Sequence, residues 1–198
     1  IGLMSAMFLL CRLLFERSRE LIDTAVSNTL LHMQLSHRLS LDSLTKLYNH
    51  ATFYEKLDEH IKAHKTQNQP FALLVLDIDN FKAINDTYGH DVGDIVILRL
   101  VEIIKAHTTA LELAFRYGGE EFTILTTDVI RAPRLAEDIR LALEDSRYKE
   151  FDRRVTVSIG LCQYNDNFGG RREYFAAADK ALYNAKRTGK NRVCVHED

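Results

Sequence analysis

The run Arg116-Tyr117-Gly118-Gly119-Glu120-Glu121-Phe122 constrains this chain more than any other. Apolar, β-favouring residues flank it, 111–115 on one side and Phe122-Thr123-Ile124-Leu125 on the other. Two such runs joined by a glycine pair read as a β-hairpin with a tight turn. Without Cβ atoms at Gly118 and Gly119, a bulky ligand can approach the backbone closely. Two adjacent carboxylates at a rigid hairpin tip do little for stability, yet they suit a divalent cation. A solvated surface turn accounts for the same residues taken alone, so the weight falls on what accompanies them.

Length and composition set the frame. The chain has 198 residues, 46% hydrophobic and 27% charged, which fits one globular domain plus an extension. Its formal net charge of -2, with basic and acidic residues intermixed, argues against a nucleic-acid partner. Cys11, Cys162 and Cys194 are widely spaced and odd in number. They suggest neither a disulfide framework nor a zinc site, and they fit a reducing compartment. The histidines are scattered without metal-ligand spacing.

The first residues differ from the rest. No charge occurs before Arg12, and Leu13-Leu14-Phe15 resumes the apolar run. This is shorter than the roughly 20 apolar residues of a spanning helix. It also lacks the basic lead and small-residue cleavage site of a signal peptide. The chain begins with Ile, so a piece of a longer protein is expected. Two readings of residues 1–15 stand open: the cytoplasmic end of a truncated membrane helix, or an amphipathic helix packed on a partner chain.

Residues 16–40 contain neither proline nor glycine. Leu21, Asn28 and Leu35 follow a seven-residue spacing, and Ile22, Val26, Thr29 and Met33 form a second stripe. Two competing seams imply a weak parallel coiled coil able to shift register; the alternative is a single helix lying on its own domain. The compact domain is expected at 41–198. Its pattern gives a helix over 51–67, a strand over 71–78 and a helix over 91–107 with Ile95, Leu98, Val101, Glu102 and Ile103 toward the buried side. The hairpin follows, then a helix over 133–146, a strand over 154–160, a helix over 172–188 and a short strand over 192–195. Such irregular alternation with one hairpin predicts an α+β domain around a mixed sheet.

A second constellation follows the strand 71–78: Asp77-Ile78-Asp79-Asn80-Phe81-Lys82-Ala83-Ile84-Asn85-Asp86, continuing through Tyr88-Gly89-His90-Asp91-Val92-Gly93-Asp94. The Asp-x-Asp start suggests an EF-hand, but that loop needs Gly at position six and Glu at position twelve. Lys82 and Tyr88 stand there instead. No Walker loop or GxGxxG occurs, so phosphates here would rely on a metal, Lys82 and loop amides. Asp77 with the hairpin glutamates makes a set of hard oxygen ligands suited to magnesium, which completes its shell with water and substrate phosphates. Loop capping by Asp77 and Asp79 and a solvated Lys82 are the plainer readings of each residue singly.

Together these blocks resemble the GGDEF family, the diguanylate cyclases, in its GGEEF variant. The resemblance runs from 41 to 195 and includes Asp42-Ser43-Leu44-Thr45-Lys46-Leu47-Tyr48-Asn49, the block 77–94, Arg116–Phe122, Val157-Ser158-Ile159-Gly160, Ala178-Asp179-Lys180-Ala181-Leu182-Tyr183-Asn184-Ala185-Lys186 and Gly189-Lys190-Asn191. It implies a nucleotidyl-cyclase, palm-like fold whose central mixed, mainly antiparallel sheet is flanked by helices and preceded by a long N-terminal helix. It implies that two GTP molecules condense to cyclic di-GMP and pyrophosphate, a 3′-hydroxyl attacking an α-phosphate. Asp77, the Ile78 carbonyl, Glu120 and Glu121 would hold two Mg²⁺ (or Mn²⁺) ions. Asn85 and Asp94 would read guanine. Phe81, Lys82, Lys186 and Lys190 would lie by the phosphates, and Gly118-Gly119 would admit the nucleotide. Each domain would bind one GTP, so a homodimer through the N-terminal helix is expected, in the cytoplasm, and at the inner membrane if residues 1–15 end a membrane helix.

The chain departs from the family in places. Thr109 and Glu112 stand where the family's product-inhibition motif has Arg-x-x-Asp, so no allosteric product site is expected. Lys46 replaces a usual glycine, His50-Ala51 a frequent arginine pair, and Lys190 a common arginine, losing bidentate phosphate binding. The main alternative is a catalytically silent GTP-binding regulatory module, against which Asp77, Asn85, Asp94, Glu120 and Glu121 all stand intact. A mixed guanine–adenine cyclase is disfavoured by Asp94, and a polymerase palm by the absence of basic surface.

Overall fold

The apolar run after Pro70 becomes the middle of a sheet. In the computed structural model, which describes residues 15–19, 22 and 40–197, the elements of the compact unit Leu41–Asp198 follow in chain order. They are α1 (His50–Gln67), β1 (Ala72–Ile78), α2 (Phe81–Tyr88), α3 (His90–His107), β2 (Glu112–Arg116), β3 (Glu121–Thr126), α4 (Ala132–Glu144), β4 (Val157–Gln163), α5 (Arg171–Arg187) and β5 (Val193–Val195). The strands are ordered β2-β3-β1-β4-β5. All neighbours run antiparallel except β4 and β5. The expected mixed, mainly antiparallel sheet is the one that forms. β1 is buried along its whole length because both of its faces are covered.

Alternation along β1 divides the core. Leu74, Leu76 and Ile78 join Ile84, Val96, Leu100, Phe122, Ile139 and Ile159 on the side of α2, α3 and α4. Leu73 and Val75 join Phe53, Leu57, Tyr174, Ala178 and Leu182 on the side of α1 and α5. Small residues let α5 lie very close to the sheet. A Cβ on Gly160 would overlap the backbone of Ala178 and Leu182. Local signals fix the ends of α1: Asn49 accepts from the Thr52 N–H, and Asn68 closes the helix in the left-handed region at φ 52°.

Three expectations shift. The helix α2 leaves no periodic apolar signal in the sequence, because its eight residues carry only two buried side chains, Phe81 and Ile84. In α3 the buried residues are Gly93, Val96, Ile97, Leu100, Val101, Ile103 and Ile104. Ile95 and Leu98 are 37% and 38% exposed, and Glu102 is exposed. Four consecutive apolar residues, 95–98, left the phase of this helix ambiguous. Strand β4 lies three residues later than expected, and 154–156 form the approach to it. The coiled-coil seam at 16–40 and the apolar run 1–15 fall almost wholly outside the described residues. Among the described residues no helix is long and apolar enough to cross a membrane.

Candidate active site

The chemistry gathers where β1 ends and β3 begins. Asp77 and Glu121 are register partners across these antiparallel strands, so their side chains leave the same face of the sheet. That face is the one covered by α5, and Lys186 near the end of α5 meets Asp77 with Nζ 2.7 Å from Oδ2. Asp77 is only 8% exposed. Burial pushes its carboxyl above the usual aspartate range, Lys186 pulls it back, and the charges of Glu120 and Glu121 push it up again. A carboxylate crowded by two others and balanced by one ammonium is a place where added positive charge is stabilising. Asp77, Glu120 and Glu121 with the Ile78 carbonyl therefore fit a hard divalent cation by donor type and charge. Among the described residues no three acidic, histidine or cysteine side chains stand gathered at metal-ligand spacing. Lys186 supplies the local counter-charge instead.

The glycine turn is wider than a two-residue hairpin. Strand pairing ends at Arg116–Phe122, and both the Tyr117 and Gly118 N–H groups donate to the Glu121 carbonyl. A Cβ on Gly118 would stand 2.8 Å from Glu121 Oε2, so the glycine makes room for that carboxylate. Arg116 ties the turn down. Its guanidinium donates to the Gly118 and Gly119 carbonyls and, through Nη1, to the Asp42 carboxylate at 3.1 Å. Burial would raise the Asp42 carboxyl, but hydrogen bonds from the Thr45 hydroxyl and N–H and from Arg116 outweigh it and hold it below the ordinary range. This brace was not singled out from the sequence, although an Asp three residues before a Thr is a capping signal. Tyr117 adds a second fastening, its hydroxyl 2.8 Å from that of Tyr54 on α1. His50 packs on both rings. Lys46 takes φ 57°, in the left-handed region that favours glycine.

On the other face, Asn85 of α2 lies against Gly93 of α3. Its side-chain oxygen is buried and has no hydrogen-bond partner among the described residues. A Cβ on Gly93 would overlap that oxygen and press on the Phe81 ring. An unpaired buried acceptor costs about 1–3 kcal/mol, so a ligand that brings an N–H donor would relieve it. Phe81 is part of the core, whereas Lys82 and Asp94 are exposed. Lys190, half-buried, points to the loop after β1, its Nζ 2.5 Å from Asn80 Oδ1. The predicted residues thus fall at one end of the sheet: Lys186 pairs with Asp77, Glu121 stands opposite it in register and Glu120 acts on it by charge, Lys190 joins the β1–α2 loop, and Asn85 sits against Gly93 of α3. Thr109 and Glu112 lie apart from them at the start of β2, where Glu112 is fully engaged. One oxygen accepts from the Thr109 N–H and hydroxyl, the other from Arg131 at 2.8 Å.

Comparison with known proteins bears on the family and the fold. The family described as "Diguanylate cyclase, GGDEF domain" matches residues 39–192. The probable diguanylate cyclase DgcT of Escherichia coli is 39% identical over 169 residues, 82% of this chain and 36% of its own. Diguanylate cyclase A of Treponema denticola is 36% identical over 192 residues, 93% of this chain and 51% of its own. The chain therefore spans about half or less of the length of these curated relatives. Among solved structures, the coiled coil and GGDEF domain of DgcB from Caulobacter crescentus, in complex with c-di-GMP, aligns with a TM-score of 0.79 and 31% identity. That alignment covers 90% of this chain and 98% of that one. The active GGEEF domain of a diguanylate cyclase from Vibrio cholerae aligns with a TM-score of 0.72 and 32% identity, covering 76% and 97%. With the fold, the hairpin signature and the family match in agreement, the chain belongs to the GGDEF family of diguanylate cyclase domains.

Proposed function

We propose that this domain condenses two GTP molecules into cyclic di-GMP, and that it does so as a homodimer. The observation that carries this reading is the juxtaposition of Asp77 and Glu121 across β1 and β3 with Lys186 against Asp77. Asp77, the Ile78 carbonyl, Glu120 and Glu121 would hold Mg²⁺ or Mn²⁺, two ions per site, which when bound would neutralise phosphate charge and favour ionisation of the attacking hydroxyl. The chain's own groups do the rest. Asn85 and Asp94 accept from the guanine N1–H and N2–H₂, a donor pair that adenine lacks. Lys82, Lys186 and Lys190 balance charge on the triphosphate and on the departing pyrophosphate. The braced glycine turn lets the nucleotide approach the backbone. The 3′-hydroxyl of one GTP, bound to one domain, attacks the α-phosphate of the other in line and expels pyrophosphate.

One domain supplies one GTP, so two domains must face each other. A helical dimer through 16–40 would raise the concentration of one site at the other. The reading places the domain in the cytoplasm, with membrane attachment left to any preceding segment. The test is the rate of cyclic di-GMP formation against protein concentration with GTP and Mg²⁺. The rate per chain is expected to fall on dilution through the dimer's dissociation range. A rate per chain independent of concentration would sink the dimer, and no product at any concentration would sink the activity.

Two further outcomes follow from the geometry. Gly93→Ala is expected to weaken GTP binding about tenfold, because the new methyl displaces the Asn85 amide. Titration with GTP at unchanged thermal stability checks this, and equal affinity would remove Asn85 from the guanine site. Cyclic di-GMP is expected not to inhibit through the 109–112 segment, where the Glu112 side chain is buried and internally satisfied. Submicromolar product inhibition that Glu112→Ala abolishes would contradict this.

A further inference from the structure

One buried carboxylate has no part in the chemistry described above. Asp79 lies two residues beyond Asp77 and is 4% exposed. Its oxygens accept from three donors on two segments remote in sequence: Thr156 Oγ1 at 2.7 Å and Ser158 Oγ at 2.7 Å, and the Asn191 N–H at 3.0 Å. The third contact is the informative one. Gly189, Lys190 and Asn191 have φ of 130°, 61° and 48°, three consecutive residues in a region that L side chains disfavour. Asn80, next to Asp79, is also left-handed at φ 58°. Two strained turns therefore face each other, and the fastenings between them are Asp79 to the Asn191 N–H and Lys190 Nζ to Asn80 Oδ1. Arg140 of α4 holds the second turn from behind through Asn191 Oδ1 at 2.8 Å.

We propose that Asp79 is a positioning residue for the triphosphate: its carboxylate locks the turn that carries Lys190 onto the loop that carries Phe81 and Lys82. This rests on the cyclase reading above. The lock fixes the spacing between Lys190, which reaches over the loop, and the first turn of α2. Thr156 and Ser158 anchor the same carboxylate to the approach and body of β4, so the loop is referred to the rigid sheet. Asn80 makes no side-chain cap on α2; its oxygen serves Lys190 instead. A hydrogen bond to a buried carboxylate is among the stronger neutral-donor contacts, which suits a residue that must hold strained backbone in place.

The test measures binding of 3′-deoxy-GTP, which lacks the attacking hydroxyl, in the presence of Mg²⁺. Asp79→Asn keeps the size but removes the charge and one acceptor, and is expected to raise Kd about tenfold. Lys190→Ala is expected to raise it by a similar factor. The double variant is expected to bind no more weakly than Lys190→Ala alone, because Asp79 acts through the placement of Lys190. A general loss of fold would not produce that non-additivity. Multiplicative loss in the double variant, or an Asp79→Asn affinity equal to wild type, would overturn the proposal. Should Asp79→Asn fail to fold, Thr156→Val removes one donor at constant shape and is expected to raise Kd about threefold; an unchanged Kd overturns the proposal. Wild-type protein that does not bind the probe would instead overturn the cyclase reading beneath it, and the proposal with it.

Discussion

Glu121→Ala is expected to lower the rate of cyclic di-GMP formation by about a thousandfold while the domain stays folded. The carboxylate stands opposite Asp77 across two strands, and the backbone of Glu121 makes the pairing whatever its side chain. Removing it takes away one of the two charges that push the Asp77 carboxyl up. Nothing in the core depends on it, since the side chain is only partly buried. Stability should therefore change little, and the loss should appear in kcat more than in KM for GTP. Turnover measured beside thermal unfolding checks this. A loss of less than tenfold would remove Glu121 from the reacting centre, whereas loss of the folded state would show that it holds the hairpin itself.

Phe122→Ala acts on the next residue by an opposite route. Phe122 is fully buried and pairs with Leu76 on β1 and Arg116 on β2. Its ring lies in the core beneath α2, α3 and α4, while Glu121 leaves the other face. Truncation of a buried phenylalanine costs about 3–5 kcal/mol through lost burial and the cavity left behind. Domains have only about 5–15 kcal/mol in total. The midpoint of thermal unfolding is expected to fall by about 10 °C, and the hairpin carboxylates should lose their register with Asp77. A shift of one or two degrees would show that the hairpin is not anchored by this ring. On the proposed function, adjacent signature residues divide the labour: the carboxylate would serve the site, and the buried ring fastens the hairpin to the sheet.

Much of this was legible in the residues. The β1 run, the hairpin and the alanine-rich α5 announce themselves through unbroken apolar stretches, glycine and helix-favouring composition. The Asp77–Glu121 pairing needs only that a strand ending in Asp meet a hairpin beginning its return strand with Glu. Other features depend on tertiary contacts that leave little trace in the sequence. In α3, Ile95-Val96-Ile97-Leu98 presents apolar side chains almost all round, so the packing of α4 and the sheet decides which are covered. Asp77 and Asp79 look equivalent in an Asp-x-Asp motif. They part company because Lys186 faces one, while Thr156, Ser158 and Asn191 enclose the other. The brace from Arg116 to Asp42 spans 74 positions and joins groups that are ordinary taken singly.

The most direct test is to incubate the purified protein with GTP and Mg²⁺ and separate the products by chromatography, with Glu121→Ala alongside. The account predicts cyclic di-GMP from the wild type alone, with two pyrophosphates released for each molecule formed. GTP bound but recovered unchanged at every protein concentration would contradict it, and would make the domain a nucleotide-binding module rather than a cyclase.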